Sequence, residues 1–228
     1  MVVTRFPDQS DKIWETLSDR LGQCYTGAVY DVMRDLGLAD CVLPPEIRAL
    51  DLDARVAGRA FTMQGRPDPT INAQESLVRW TEFLTQAPAG HMVVCQPQDH
   101  KRALMGELSA EALQSRGVKG YIVDGGCRDN ALIRKLRFPV FARFQTPRDI
   151  VGAWRVESVG EPIEIEGVLI RTGDFVLADI DGIVVIPEDR AESVISEVVK
   201  VMSIENLVRK AILKGISPTE AYRRFGKF

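Results

Sequence analysis

Five consecutive residues, Gly125-Gly126-Cys127-Arg128-Asp129, combine side chains that bind a small oxyanion and a hard cation. Paired glycines let a backbone come close to a ligand. The Arg128 guanidinium is a planar fork of donors matched to a carboxylate. The Asp129 carboxylate is a hard oxygen donor suited to Mg2+ or Mn2+. An anion clamp beside a metal ligand is what chelation of a 2-oxo acid requires. The same run also reads as a Gly-Gly turn whose Arg and Asp form an ordinary surface ion pair. The residues alone leave both readings open.

A second group lies upstream. Gly106-Glu107-Leu108-Ser109 opens a run of strong helix formers, and the unpaired N–H groups of such a start can hold a carboxylate. Glu107 could hold a metal-bound water there. Taken by itself, the pair is an ordinary helix start, with Gly capping and Glu complementing the macrodipole. Cys127 is a possible thiol nucleophile beside Arg128, with no His near it in sequence. His91 and His100 flank a strand with no evident partner. Asp179-Ile180-Asp181-Gly182 begins like a calcium loop but lacks the later ligands, so it reads as a turn. Trp14, Trp80 and Trp154 read as core.

The elements around these groups follow from hydrophobic period and punctuation. Residues 9–37 read as two helices broken between Gly22 and Gly27, and residues 73–86 as an amphipathic helix. Strands are expected near 56–64 and 91–96. Residues 106–116 form a helix stopped by Gly117, residues 120–124 a strand, 125–129 a tight loop, 130–136 a helix and 139–143 a strand. This alternation implies parallel strands with crossover helices. Residues 162–187 read as a β-rich meander, 188–214 as a long helix, and a short helix follows Ser217-Pro218. The expectation is one α/β domain over residues 1–228, built of layers.

Bulk properties bound the function. The chain has 228 residues, 45% of them hydrophobic, enough for one sizeable core. A net charge of −3 gives no reason to expect nucleic acid. No apolar run approaches the roughly 20 residues of a membrane span, and Met1–Asp8 does not read as a signal peptide. Four scattered cysteines and two histidines argue against a zinc knuckle and fit a reducing, cytoplasmic compartment. No Gly-rich strand–turn motif near the N-terminus offers a site for a methyltransferase's nucleoside cofactor.

Several segments together carry a resemblance. They are Gly106-Glu107-Leu108, Arg116-Gly117-Val118-Lys119-Gly120, Asp124-Gly125-Gly126-Cys127-Arg128-Asp129, Phe138-Pro139-Val140-Phe141, Gly173-Asp174, and Asp181-Gly182 through Pro187. The chain resembles the class II 4-hydroxy-4-methyl-2-oxoglutarate/4-carboxy-4-hydroxy-2-oxoadipate aldolases, which share their fold with the regulator of ribonuclease activity A. The resemblance covers roughly residues 20–210, and its most specific part is an acidic residue, twenty intervening residues, then Arg-Asp: Glu107 followed by Arg128-Asp129.

The resemblance implies a β/β/α sandwich of the swivelling type, assembled as a homotrimer or hexamer. It implies Asp129 as ligand to Mg2+ or Mn2+, Arg128 as the group that binds a 2-oxo acid and stabilises its enolate, and Glu107 as the residue that orients metal-bound water. Gly106, Leu108 and Ser109 would help hold the substrate, and Glu205 of a neighbouring chain would complete the metal's outer shell. Retro-aldol cleavage to pyruvate, with oxaloacetate decarboxylation as a side activity, would follow without a Schiff-base lysine; Lys101 and Lys119 have no assigned part. The alternative is a non-catalytic regulator of ribonuclease activity, a branch that does not keep the Arg-Asp pair. The tail from Arg209 onward and the Glu at position 107, where the family carries Asp, depart from the aldolase pattern.

Overall fold

The computed structural model describes residues 9–228. The signal-peptide expectation for Met1–Asp8 lies outside the described residues. The chain begins with α1 (Gln9–Gly22) and α2 (Thr26–Asp35), and then the short β1 (Arg48–Ala49). An alternating stretch follows: β2 (Val56–Pro67), α3 (Ala73–Gln86), β3 (His91–Gln96), α4 (Glu107–Ser115), β4 (Gly120–Cys127), α5 (Asn130–Leu136) and β5 (Val140–Gln145). After β6 (Trp154–Val159) come two hairpins, β7 (Ile163–Ile165) with β8 (Val168–Ile170), and β9 (Phe175–Ala178) with β10 (Ile183–Ile186). The chain ends in α6 (Ala191–Leu213) and α7 (Pro218–Phe225).

One sheet carries the strand order β1-β5-β4-β3-β2-β9-β10, with β6 also paired to β2. β2 through β5 are parallel neighbours, as the alternation predicts. β2 is long because it serves two antiparallel partners: Val56–Arg59 pairs with β9, and Met63–Pro67 with β6 across a register shift at Gln64/Gly65.

The two faces of the sheet bury different layers. Met63, Val93, Cys95, Tyr121, Val123 and Val140 pack against α3, α4 and α5. On the same face Ala57, Phe175, Leu177, Val184 and Ile186 meet α1, α2 and α6. The alternate residues Ala60, Met92, Val94, Ile122, Phe141, Val176 and Val185 face the β7–β8 hairpin and the Leu43–Ile47 segment. The result is the layering β/β/α, hairpin on sheet on helices. Strands buried on both sides need near-continuous apolar sequence, which Phe175-Val-Leu-Ala and Ile183-Val-Val-Ile supply.

Two expectations need correction. Residues 125–127 are not loop: β4 runs to Cys127, with Gly126 and Cys127 paired to Phe144 and Gln145 after a register shift. A Cβ at Gly126 would lie 2.6 Å from the Arg102 carbonyl oxygen and 2.7 Å from the Phe144 ring, so the glycine lets the strand stay packed. The region 162–187 is not one meander: β7–β8 forms its own two-stranded sheet, whereas β9–β10 extends the main one. The break between the first two helices falls at residues 23–25, between Gly22 and Gly27 as expected. No helix among the described residues is long and apolar enough to cross a membrane.

Candidate active site

The connections leaving the C-terminal ends of β3, β4 and β5 converge, the edge where parallel sheets bind ligands. Backbone hydrogen bonds join them. Ala103 N–H donates to Arg148 O (2.7 Å), Leu104 N–H to Gly126 O (2.9 Å) and Arg128 N–H to Met105 O (2.9 Å). The start of α4 is thereby held against the β4–α5 turn.

Asp129 forms that turn in the left-handed region, φ 57° and ψ 30°, a conformation an Asp tolerates better than most residues. It occupies the N-cap position of α5, where an Asp normally accepts an N–H from its own helix. Its carboxylate makes no such bond. Asp129 Oδ2 instead accepts the Glu107 N–H of α4 at 3.3 Å. Departures from a local preference of this kind occur at functional or strained positions.

Arg128 bridges two carboxylates: Nε lies 3.5 Å from Asp129 Oδ2, and Nη1 donates to Asp149 Oδ2 at 3.2 Å. The three side chains are 39%, 40% and 44% exposed, for Arg128, Asp129 and Asp149. Ion pairs this wet contribute little to stability. Gly106, the N-cap of α4, has extended backbone, φ −143° and ψ 175°. It is small for a steric reason: a Cβ there would lie 2.8 Å from Asp129 Oδ2 and 3.3 Å from Arg128 Nε.

These groups line a cavity of about 380 Å³ together with Trp80, Leu84, Ile150 and others. Six of the seven positions expected from the sequence, Gly106, Glu107, Leu108, Ser109, Arg128 and Asp129, are on its wall, and the seventh, Glu205, is not. Asp149 also lines it, and sequence reasoning missed it. The available signal was its position in the loop after a parallel strand. Trp80, expected only as core, is 6% exposed yet lines the cavity, with its Nε1–H donating to Ser109 Oγ at 3.0 Å. Among the described residues no lysine lines the cavity.

The remaining expectations resolve differently. Cys127 is no nucleophile: it is fully buried, and burial pushes its thiol up to about 12. Asp179 accepts from Thr26 N–H at 2.9 Å and Thr26 Oγ1–H at 2.7 Å, fastening α2 to the β9–β10 turn. His100 Nε2 is 3.9 Å from Asp124 Oδ1, away from the cavity. Glu205 lies on α6 and accepts from the Tyr25 hydroxyl. It lines a separate cavity between α2 and α6, so within one chain it does not meet Asp129.

Among the described residues no three His, Cys, Asp or Glu side chains form a cage for a metal. Mg2+ and its like need none, since they keep waters and bind through one or two carboxylates plus substrate oxygens. Asp129 fits that use: its carboxylate does not cap α5, and among the described residues none donates to Oδ1. The metal's donors would be Asp129 and the substrate.

The family described as RraA-like, Aldolase/RraA, matches residues 26–185. A Thermus thermophilus protein named 4-hydroxy-4-methyl-2-oxoglutarate aldolase is 30% identical over 147 residues, covering 64% of this chain and 84% of that one. A Streptomyces coelicolor structure, described as an unusual member of the RNase ES inhibitor RraA protein family, superposes with TM-score 0.77 at 25% identity, covering 90% and 99% of the two chains. An uncharacterized Pseudomonas syringae protein gives TM-score 0.81 at 25% identity, covering 91% and 96%. With the match spanning both the α4 start and the Arg128-Asp129 turn, the chain belongs to the RraA-like aldolase/RraA family.

Proposed function

We propose that this chain is a divalent-metal-dependent carbon–carbon lyase that cleaves a 4-hydroxy-2-oxo acid to pyruvate. The observation that carries this reading is Asp129: its carboxylate is withheld from its own helix and set beside Arg128 at the start of α4. The name of the Thermus relative supports the same chemistry.

When bound at Asp129, Mg2+ or Mn2+ supplies Lewis acidity at the 2-keto oxygen. Arg128 clamps the substrate carboxylate and places positive charge where the enolate oxygen develops. The first-turn amides of Leu108 and Ser109 add donors at the positive end of the α4 dipole. Glu107 takes the proton of the 4-hydroxyl. The C3–C4 bond breaks, C4 becomes a carbonyl, and the electron pair stays on the pyruvate enolate until C3 is protonated. The same electron sink permits oxaloacetate decarboxylation. The working form is a cytoplasmic homotrimer or dimer of trimers, with Glu205 directed to a neighbour's site.

The test is pyruvate release over a panel of 4-hydroxy-2-oxo acids, before and after chelation by EDTA. Metal-dependent release is expected. Full activity after verified metal removal overturns the metal requirement. No release, together with no exchange of pyruvate C3 protons, overturns the lyase. The regulator reading, favoured by the Streptomyces structure's description, would then be tested by inhibition of a ribonuclease.

A further inference from the structure

The cavity has two unlike halves. One holds the ionic groups, where a single cation, Arg128, faces the carboxylates of Glu107, Asp129 and Asp149. The other half is built by α3 and the loop after β5. Leu77, Trp80, Thr81 and Leu84 follow one another at helical spacing along α3, opposite Ile150 and Val151. None of these six can ionise. Leu77 and Val151 are 45% and 36% exposed, and Leu108 at the rim is 76% exposed.

We infer that the substrate carries one carboxylate, at the reacting end, and an apolar or aromatic substituent on C4. This inference rests on the lyase reading above and names the substrate class of that same site. A first carboxylate uses Arg128. A second one, at the far end of a dicarboxylic substrate, would meet the α3 wall, where none of this chain's described lining side chains is cationic. A carboxylate there gains no ion pair from this chain, whereas an apolar group buries its surface against Leu77, Trp80, Leu84 and Ile150. A volume of about 380 Å³ leaves room beyond a three-carbon acid for a C4 substituent, and the apolar lining of that half sets its character. The Trp80 ring is oriented by its bond to Ser109 Oγ, so the wall is preset for a flat or branched apolar group. Cleavage breaks C3–C4, gives the 4-hydroxyl proton to Glu107, and releases pyruvate and an apolar aldehyde or ketone.

The experiment compares two substrates on the full chain with Mg2+: 4-hydroxy-2-oxo-4-phenylbutanoate and the dicarboxylate 4-hydroxy-4-methyl-2-oxoglutarate. Pyruvate release gives kcat/KM, and exchange of pyruvate C3 protons in deuterated water reads the ionic half alone. The phenyl substrate is expected to lead by at least about tenfold, since single hydrophobic pocket contacts are worth roughly 10–200-fold. Thr81→Arg places a cation on the α3 wall at an exposed helical position, and should shift the ratio toward the dicarboxylate by about tenfold. Leu77→Ala should raise KM for the phenyl substrate only. A preference for the dicarboxylate in the native protein overturns the inference, as does a ratio unmoved by both variants. Proton exchange retained in either case leaves the lyase reading intact. Exchange absent from the native protein removes that reading and this inference with it.

Discussion

Gly106→Ala separates catalytic geometry from folding. The position has extended backbone, so alanine is conformationally allowed. The difficulty is contact. The new Cβ would lie 2.8 Å from Asp129 Oδ2, 3.3 Å from Arg128 Nε and 3.4 Å from Arg128 Cγ. Ordinary carbon–oxygen contact needs several tenths of an ångström more, so Asp129 must move by about 0.5 Å, the tolerance of a preorganised site. The displaced atoms are the ends of half-exposed side chains that can swing toward solvent. The folding cost is therefore about 1 kcal/mol or less, the usual scale for an N-cap change. In a chain of this size that corresponds to about 2–4 °C in Tm. Catalysis should suffer far more, because a misplacement of about 1 Å can cost around 100-fold. A fall of about 10- to 100-fold in kcat/KM for pyruvate release is expected, with Tm measured on the same preparation. Unchanged kcat/KM would show that Asp129 and Arg128 do not form the reacting corner. A Tm lower by more than about 10 °C would show that Gly106 matters for packing and that the contact argument is wrong.

Asp129→Ala should weaken metal binding, measured by calorimetry with Mn2+, and abolish turnover with partial recovery at high Mn2+. Arg128→Ala should leave metal affinity nearly unchanged and cost about 2.7–4 kcal/mol in kcat/KM, as loss of one oxyanion donor does; the reverse pattern of metal loss would refute the two roles. Arg128→Lys should recover little, because a point charge cannot replace the two-pronged contact. Asp149→Asn keeps the turn acceptor for the Val151 N–H but weakens the hold on Arg128 Nη1, so KM should change with little effect on Tm; a large loss of stability would assign Asp149 to the fold. Burial pushes the Cys95 and Cys127 thiols up to about 12 from 9.0. A raised folded value means stability is fully present below pH 9, where folded and unfolded thiols are both protonated, and is lost as pH rises toward 12. Thermal melts should therefore be flat from pH 7 to 8.5 and fall above 9; a rise above 9 would contradict the buried-thiol assignment.

Much of the framework was legible because it rests on local rules. The helix at 73–86 matches α3 at both ends, since Asn72 caps it by accepting the Glu75 N–H at 2.8 Å. The alternation from β2 to β5 announced parallel strands, and the twenty-residue spacing between Glu107 and Arg128 marked two positions that the fold brings to one cavity. What the local pattern could not decide is how separate loops meet. Whether Gly125-Gly126 turns or continues a strand depends on the Arg102 carbonyl and Phe144 ring lying close by, contacts from distant sequence. Asp149 looks like any loop aspartate until tertiary packing sets it against Arg128. Cys127 adjoins a reactive turn yet points into the core, because strand alternation sends neighbouring side chains to opposite faces. Residue types and spacing thus determined the chemistry available to the chain. The convergence of three strand ends decided which of those groups share a cavity, because hydrogen bonds and burial between distant segments leave no periodic trace in sequence.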